Sequence, residues 1–127
     1  MVDVTTLVRE GAKIVQGYAE GSFRISGEVY STPVIVFEDK VIKWDAPNSV
    51  KELSEEHGQI LQEFKDEADV FLLGTGEVLT FPDPAFKKAM REKGVHFEVM
   101  DTGAACRTYN VLMAEGRRVA AALLKCV

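Results

Sequence analysis

The chain has 127 residues, 46% of them hydrophobic, with a formal net charge of -5 and a pI near 5.1. This length allows one domain with a sizeable core and is too short for two. The acidic balance argues against non-specific binding to nucleic acid or to an anionic membrane. The one local concentration of basic residues is best explained as the solvated face of a helix, and it comprises Lys87, Lys88, Arg91 and Lys93.

No apolar run approaches the roughly 18 residues of a membrane-spanning helix, and the first twenty residues hold no apolar segment of the signal-peptide type. We therefore expect a cytoplasmic protein without membrane insertion. We expect a single domain over residues 1–127, with residues 1–11 as a flexible N-terminal segment. Two cysteines, Cys106 and Cys126, are too few for a disulfide scaffold. Because neither His57 nor His96 has ligand spacing around it, we expect no metal site. We also expect no cofactor, since GTGEVL lacks the third glycine of a dinucleotide-binding fingerprint and the chain has no P-loop motif.

Residues 12–45 are rich in β-branched and aromatic residues, in short runs separated by glycine and proline. The runs are AKIVQGYAE, SFRISGEVY, PVIVF and KVIKW. Such runs predict an antiparallel meander, in which Glu38 and Asp39 form the turn between PVIVF and VIKW. We expect an antiparallel β-hairpin layer at this end of the chain.

From residue 50 onward, helical periods alternate with continuous apolar runs. The first helix is expected to begin after Ser54, with two acidic residues in its first turn. Its apolar stripe, at helical spacing, consists of Ile60, Leu61, Phe64 and Ala68. VFLLG at 70–74 predicts a strand covered on both faces. A second helix opens near Asp83 and Pro84 and stops at Gly94.

The C-terminal third continues this alternation. VHFEVM predicts a strand, DTGAACRTYNVLMAE predicts a third helix ended by Gly116, and RVAAALLKCV predicts a last strand. Helices that alternate with strands favour right-handed crossovers between parallel strands. The sequence thus predicts an α/β fold with a mixed, mostly parallel central sheet.

The stretch VMDTGA resembles the Asp-Thr-Gly signature of aspartic proteases, in which the Asp activates a water. Such an enzyme needs a long β-rich chain after the motif, whereas the short remainder after Asp101 has helical spacing. We therefore interpret DTG as a strand-to-helix junction. Asp101 or Thr102 caps the free N–H groups, and Gly103 allows a tight turn.

Two junctions of this kind are expected to meet at the carboxyl ends of the strands, where open parallel sheets bind ligands. One is GTG at 74–76 and the other is DTGAACRT. Backbone N–H groups at the glycines could hold an anion, and the alternative is that the glycines only make tight turns. The candidate pocket comprises Gly74, Thr75, Gly76, Phe81, Pro82, Asp101, Thr102, Cys106 and Arg107.

Two residues of this pocket have a specific chemistry. Cys106 lies in the first turns of the third helix, where the helix dipole lowers a thiol pKa. It is a weak catalytic candidate, because no base can be placed beside it, and a buried, inert thiol is the commoner case. Arg107 is either an anion clamp or a structural partner of Asp101.

The third helix has an unusual second face. At 100° per residue, one face is expected to pack on the sheet through Ala104, Ala105, Thr108, Val111 and Leu112. The opposite face carries no charge, and its residues are Cys106, Tyr109, Asn110 and Met113. It is therefore expected to be covered, either by the N-terminal β layer or by another molecule. The second alternative makes Tyr109, Asn110 and Met113 a candidate interface.

The segments MDTGAACRTYNVLMAEGRRVAAAL and VFLLGTGEVLTFPDP resemble the MTH-domain family of small bacterial and archaeal proteins, with a likeness over about residues 12–126. The resemblance implies a three-layer α/β fold with a mixed central sheet and a hairpin layer. The resemblance implies no catalytic residues. The mitochondrial relatives of this family include an assembly factor of respiratory complex I. We therefore expect a non-catalytic assembly or interaction factor with a protein partner or self-association. The alternative is a small-molecule or anion-binding protein, or a small enzyme that uses Cys106.

Overall fold

The structure is a computed structural model that describes residues 10–127. Of the N-terminal segment expected to be flexible, residues 1–9 lie outside the described residues, and Glu10 and Gly11 lie in a turn. No helix within the described residues is long and apolar enough to cross a membrane.

The first three strands form a small antiparallel sheet. They are β1 (Val15–Gly17), β2 (Phe23–Ile25) and β3 (Glu28–Tyr30). A two-residue loop joins β2 to β3, and both of its residues have positive φ, 46° at Ser26 and 86° at Gly27. A hairpin turn of the I′ type requires positive φ at both central residues. Such turns are favoured in two-residue loops because the twist of the turn matches the twist of the flanking strands.

A second sheet of five strands forms the centre of the molecule. Its strands are β4 (Val34–Val36), β5 (Val41–Lys43), β6 (Val70–Gly74), β7 (Phe97–Met100) and β8 (Val119–Leu123). Their order is β5-β4-β8-β6-β7. The β6–β7 and β6–β8 pairs are parallel, whereas β4 is antiparallel to both β5 and β8. Four of the five strands thus point the same way, which confirms the expected mixed, mostly parallel sheet.

One part of the predicted meander lies elsewhere. Residues 12–45 do not form a single layer, because the hairpin of β4 and β5 belongs to the central sheet through the β4–β8 pairing. All three residues of β4 are buried. The side chains of such a strand are buried on both sides of the sheet, so other layers must cover both sides. The outer antiparallel layer is covered on one side only, whereas the central sheet is covered on both. The turn at Glu38 and Asp39 lies between β4 and β5, as predicted.

Three helices begin where the sequence predicts. They are α1 (Glu55–Glu63), α2 (Pro84–Glu92) and α3 (Thr102–Ala114), with N-caps Ser54, Asp83 and Asp101. α1 and α2 approach closely at Gly58, where an added Cβ would lie 2.3 Å from the Met90 sulfur. Short 3-10 turns at Val50–Glu52 and Lys65–Glu67 flank α1.

The pleat of the central sheet divides the core in two. On one face, Ile35, Phe71 and Leu73 pack with side chains of α1 and α2. On the other face, Leu72 and Leu123 pack with α3 and the small sheet. The result is the three-layer α/β fold, with α1 and α2 outside one face and α3 beneath the small sheet on the other.

Candidate functional site

The DTG motif is a strand-to-helix junction, as the sequence predicts. Asp101 is the N-cap of α3, and its Oδ1 accepts a hydrogen bond from the Ala104 N–H at 2.9 Å. Gly103 lies inside the helix and does not make the expected tight turn. Its role is close approach, because an added Cβ would lie 3.0 Å from the Tyr18 ring. A glycine is needed there because of a residue far away in the sequence.

Thr102 closes the crevice that the sequence placed between GTG and DTG. Its buried hydroxyl accepts from the Gly76 N–H at 2.8 Å and donates to the Leu124 carbonyl at 2.7 Å. Its own N–H donates to the Gly76 carbonyl at 2.8 Å. Gly74 packs so closely that an added Cβ would lie 2.9 Å from Thr102 Oγ1. The Gly76 N–H is thus bonded to the protein itself, which favours the alternative that these glycines have a structural role over the anion cradle.

The buried hydroxyl of Thr75 organises the loop that follows. It donates to the Val78 carbonyl at 2.9 Å and accepts from the Thr80 N–H at 3.1 Å. At the other end of the loop, Pro82 is buried and Asp83 caps α2 through the Ala85 N–H. Both ends of the segment are therefore fixed to the fold.

Between these anchors, three large apolar side chains face outward. Val78 is 69% exposed, Leu79 48% and Phe81 66%. We call residues 77–81 the apolar loop. The sequence placed Phe81 in a crevice, which is wrong: its neighbour Pro82 takes the buried position, and the Phe81 ring lies at the surface.

An open cavity of about 440 Å³ adjoins the apolar loop. Its lining consists of Tyr18, Ala19, Glu20, Glu77, Asp101, Gly103, Arg107, Cys126 and Val127. Arg107 Nη1 donates to the Tyr18 hydroxyl at 2.7 Å, so Arg107 is bonded to a phenol instead of pairing with Asp101. Sequence reasoning found Asp101 and Arg107 but missed Tyr18 and Glu20, which follow β1 and carry no local signal of this contact.

Cys106 is not an activated thiol. It is 1% exposed, and burial raises its pKa to about 12, with a further rise from the nearby Cys126. Of the two alternatives for this residue, the structure favours the buried, inert thiol, because removal from water disfavours the thiolate. Burial also raises the pKa of the half-buried Cys126, as do the carboxylates of Glu77 and Asp101. Within the described residues, no group of three His, Cys, Asp or Glu side chains is placed to hold a metal ion.

The uncharged face of α3 is covered by the small sheet of the same chain. Tyr109 is fully buried and Met113 is 2% exposed. The Tyr109 hydroxyl lies 2.8 Å from the Lys13 carbonyl, and the Asn110 amide accepts from the Val15 N–H at 3.0 Å and donates to the Val15 carbonyl at 2.8 Å. The candidate interface at Tyr109, Asn110 and Met113 is therefore corrected to an internal contact.

The predicted sheet-facing side of α3 is right for Ala105 and Leu112, which pack in the core with the central sheet, and wrong for Val111. Val111 is 49% exposed, whereas Ala105, Cys106 and Tyr109 are buried together with residues of the central sheet. The prediction followed the 100° spacing of apolar residues, but the large uncharged side chains of Tyr109 and Met113 occupy the space between the two sheets.

A family model described as a protein of unknown function (DUF498/DUF598) matches residues 15–124. The chain is 33% identical over 123 residues to NADH dehydrogenase (ubiquinone) 1 alpha subcomplex assembly factor 3 of Xenopus tropicalis, covering 95% of this chain and 67% of that protein. It is 33% identical over 114 residues to an uncharacterized protein of Rhodobacter capsulatus, covering 90% and 86% of the two chains. A solved Bordetella pertussis protein, described as a Mth938-like domain, superposes with a TM-score of 0.71 at 26% identity and covers 92% and 88%.

Proposed function

The chain belongs to the DUF498/DUF598 family of MTH-domain proteins, and from that premise we propose that it binds a protein partner during assembly of a larger complex. Its relatives include proteins named as assembly factors of NADH dehydrogenase, and the chain spans about two thirds of their length. The cytoplasmic location expected from the sequence stays a prediction.

The observation that carries this proposal is the apolar loop. Single exposed apolar residues are ordinary on protein surfaces, but Val78, Leu79 and Phe81 fall within four positions. Aromatic residues such as Phe81 are enriched in the buried cores of interfaces. Full burial of one such side chain contributes about 1.5–3 kcal/mol relative to exposure. Val78, Leu79 and Phe81 are each half to two-thirds exposed. Burial of their exposed parts by a partner would therefore contribute roughly 3–6 kcal/mol of binding free energy, before the costs of association.

The loop is also pre-organised for binding. The Thr75 hydroxyl holds the Val78 carbonyl and the Thr80 N–H, so the backbone between them has a defined shape in the free protein. A loop that is already ordered loses less conformational entropy when a partner covers it. This supports a docking role for the GTGEVLTFPDP segment, in which GTG serves the loop and does not serve a ligand.

The test is affinity purification from the source organism with Phe81→Ser beside a matched control, Val29→Ser. Val29 is 65% exposed on β3 and lies outside the apolar loop. We expect a reproducible partner that co-purifies with the natural chain and the Val29 variant and is depleted about tenfold or more with the Phe81 variant. A partner that Phe81→Ser retains, or that both variants lose equally, would contradict the proposal.

A second candidate function is small-molecule binding in the 440 Å³ cavity, which is within the size range of ligand sites. The observation that favours it is the Arg107–Tyr18 pair beside open carboxylates. Native mass spectrometry of gently purified protein tests it. A retained small-molecule mass that disappears in Arg107→Met would establish it, whereas the bare chain mass leaves the protein-binding role.

A further inference from the structure

We propose that the partner inserts a Lys or Arg side chain into the cavity while its apolar side chains cover the apolar loop. This inference rests on the proposed function and adds the chemistry of the docking segment, which would be both apolar and cationic.

The cavity and the apolar loop form one continuous surface. Glu77 lines the cavity and immediately precedes Val78 in the loop. A second, smaller cavity of about 190 Å³ has Glu77, Val78, Thr80 and Lys125 in its lining, and it shares Glu77 and Val127 with the first. A segment that covers Val78 therefore passes over Glu77 and reaches the cavity.

Acidic groups outnumber basic ones on this surface, where the smaller cavity adds Lys125 to the charged residues of the first. Glu20, Glu77 and Asp101 each bring a carboxylate to the cavity, against the single guanidinium of Arg107. That guanidinium donates to the Tyr18 hydroxyl. Neither Glu20 nor Glu77 forms an ion pair with a described residue. A cationic side chain would gain favourable interactions here, since complementary potentials guide and orient docking partners.

The same charges argue against a second copy of this chain as the occupant. A two-fold dimer places one patch against its own copy. Glu77 would then face the partner's acidic residues, and the chain as a whole carries a net charge of -5. Lys125 and Arg107 are the basic residues that line the two cavities, and they do not balance the carboxylates of Glu20, Glu77 and Asp101. A different protein with basic residues fits the surface better.

The experiment measures binding of three short labelled peptides by fluorescence anisotropy, with a Leu/Lys amphipathic sequence, a Leu/Glu version and a Ser/Lys version. The test protein is the triple variant Glu20→Gln, Glu77→Gln and Asp101→Asn, in which Asn still caps α3. The matched control removes three exposed acids elsewhere, Glu56→Gln, Glu63→Gln and Glu98→Gln.

We expect the Leu/Lys peptide to bind the natural chain and the control variant equally well, and better than the other two peptides do. Its affinity should fall about tenfold or more with the triple variant of the cavity, and it should also fall with added salt. Equal losses with both triple variants, equal binding of the Leu/Glu peptide, or no binding of the Leu/Lys peptide would overturn the inference. Equal binding of the Ser/Lys peptide would reduce the cavity to a simple cation site and also overturn it.

Phe81→Ser separates this inference from the proposed function. If the Leu/Glu peptide binds as well as the Leu/Lys peptide and both depend on Phe81, the apolar loop docks partners and only the cationic preference is wrong. If no peptide binding depends on Phe81 and the co-purifying partner is also retained in that variant, the proposed function fails as well.

Discussion

Replacing Thr102 with Val tests whether the DTG junction is structural. Thr102 is fully buried, and Val has nearly the same shape without the hydroxyl. The change removes the acceptor of the Gly76 N–H and the donor to the Leu124 carbonyl. Both partner residues are buried, so water cannot easily replace the lost bonds.

The expected cost follows from those two groups. Each buried polar group left without a partner costs about 1–3 kcal/mol, so Thr102→Val should lower the free energy of unfolding by roughly 2–6 kcal/mol. That is a large share of the roughly 5–15 kcal/mol typical of a folded domain. Thr102→Ser keeps the oxygen and loses one methyl group, so it should cost only about 1 kcal/mol.

Urea unfolding followed by the fluorescence of Trp44 measures both variants. Trp44 is the single tryptophan and is 2% exposed, so its emission reports the loss of the core. A free energy of unfolding for Thr102→Val within about 0.5 kcal/mol of the natural chain, the scatter of ordinary surface substitutions, would contradict a structural role of the Thr102 hydroxyl. A Val variant as stable as the Ser variant would contradict it as well.

Three further substitutions probe neighbouring contacts. Gly74→Ala should destabilise by about 1–3 kcal/mol in urea unfolding, because its Cβ would lie 2.9 Å from Thr102 Oγ1. Asn110→Ala should speed hydrogen exchange at the Val15 amide, which loses its acceptor, and an unchanged rate would count against the contact. Cys106 should resist alkylation until the chain unfolds. Because its pKa is raised in the folded state, the contribution of its neutral thiol to the free energy of unfolding is complete below about pH 9 and falls by about 1.4 kcal/mol per pH unit towards pH 12. Cys106→Ala should reduce this slope.

The sequence predicts the helix starts and the strand-to-helix junction because their signals are local. Ser54, Asp83 and Asp101 each stand directly before a helical period, and the capping groups lie within three residues of the atoms they bond. The same holds for VFLLG, whose five apolar residues form β6 with the predicted bounds.

The rest depends on contacts between distant residues. Arg107 meets Tyr18 across 89 positions, and Asn110 meets Val15 across 95, so no window of sequence contains either pair. The periodicity of α3 likewise could not decide which of its faces meets which sheet. The prediction of an outward interface at Tyr109 failed because the small sheet of the same chain supplies the cover.

The outward position of the apolar loop was also beyond the sequence pattern. EVLTFP has no strict period, and apolar residues in such a stretch can be buried or exposed. The outcome is decided by the Thr75 hydroxyl, which fixes the turn, and by Pro82, which takes the buried position. A motif that resembles a glycine-rich ligand loop thereby supports the surface that we propose as the protein-binding site.

Site-specific photo-crosslinking shows whether a partner protein contacts the apolar loop. Benzoylphenylalanine in place of Phe81 keeps an aromatic ring on the apolar loop, and the same probe in place of Val29 on β3 is the control. Irradiation in cells of the source organism is expected to give a discrete covalent adduct with one partner protein from position 81 and none from position 29. No adduct from position 81, or the same adducts from both positions, would contradict partner binding through the apolar loop.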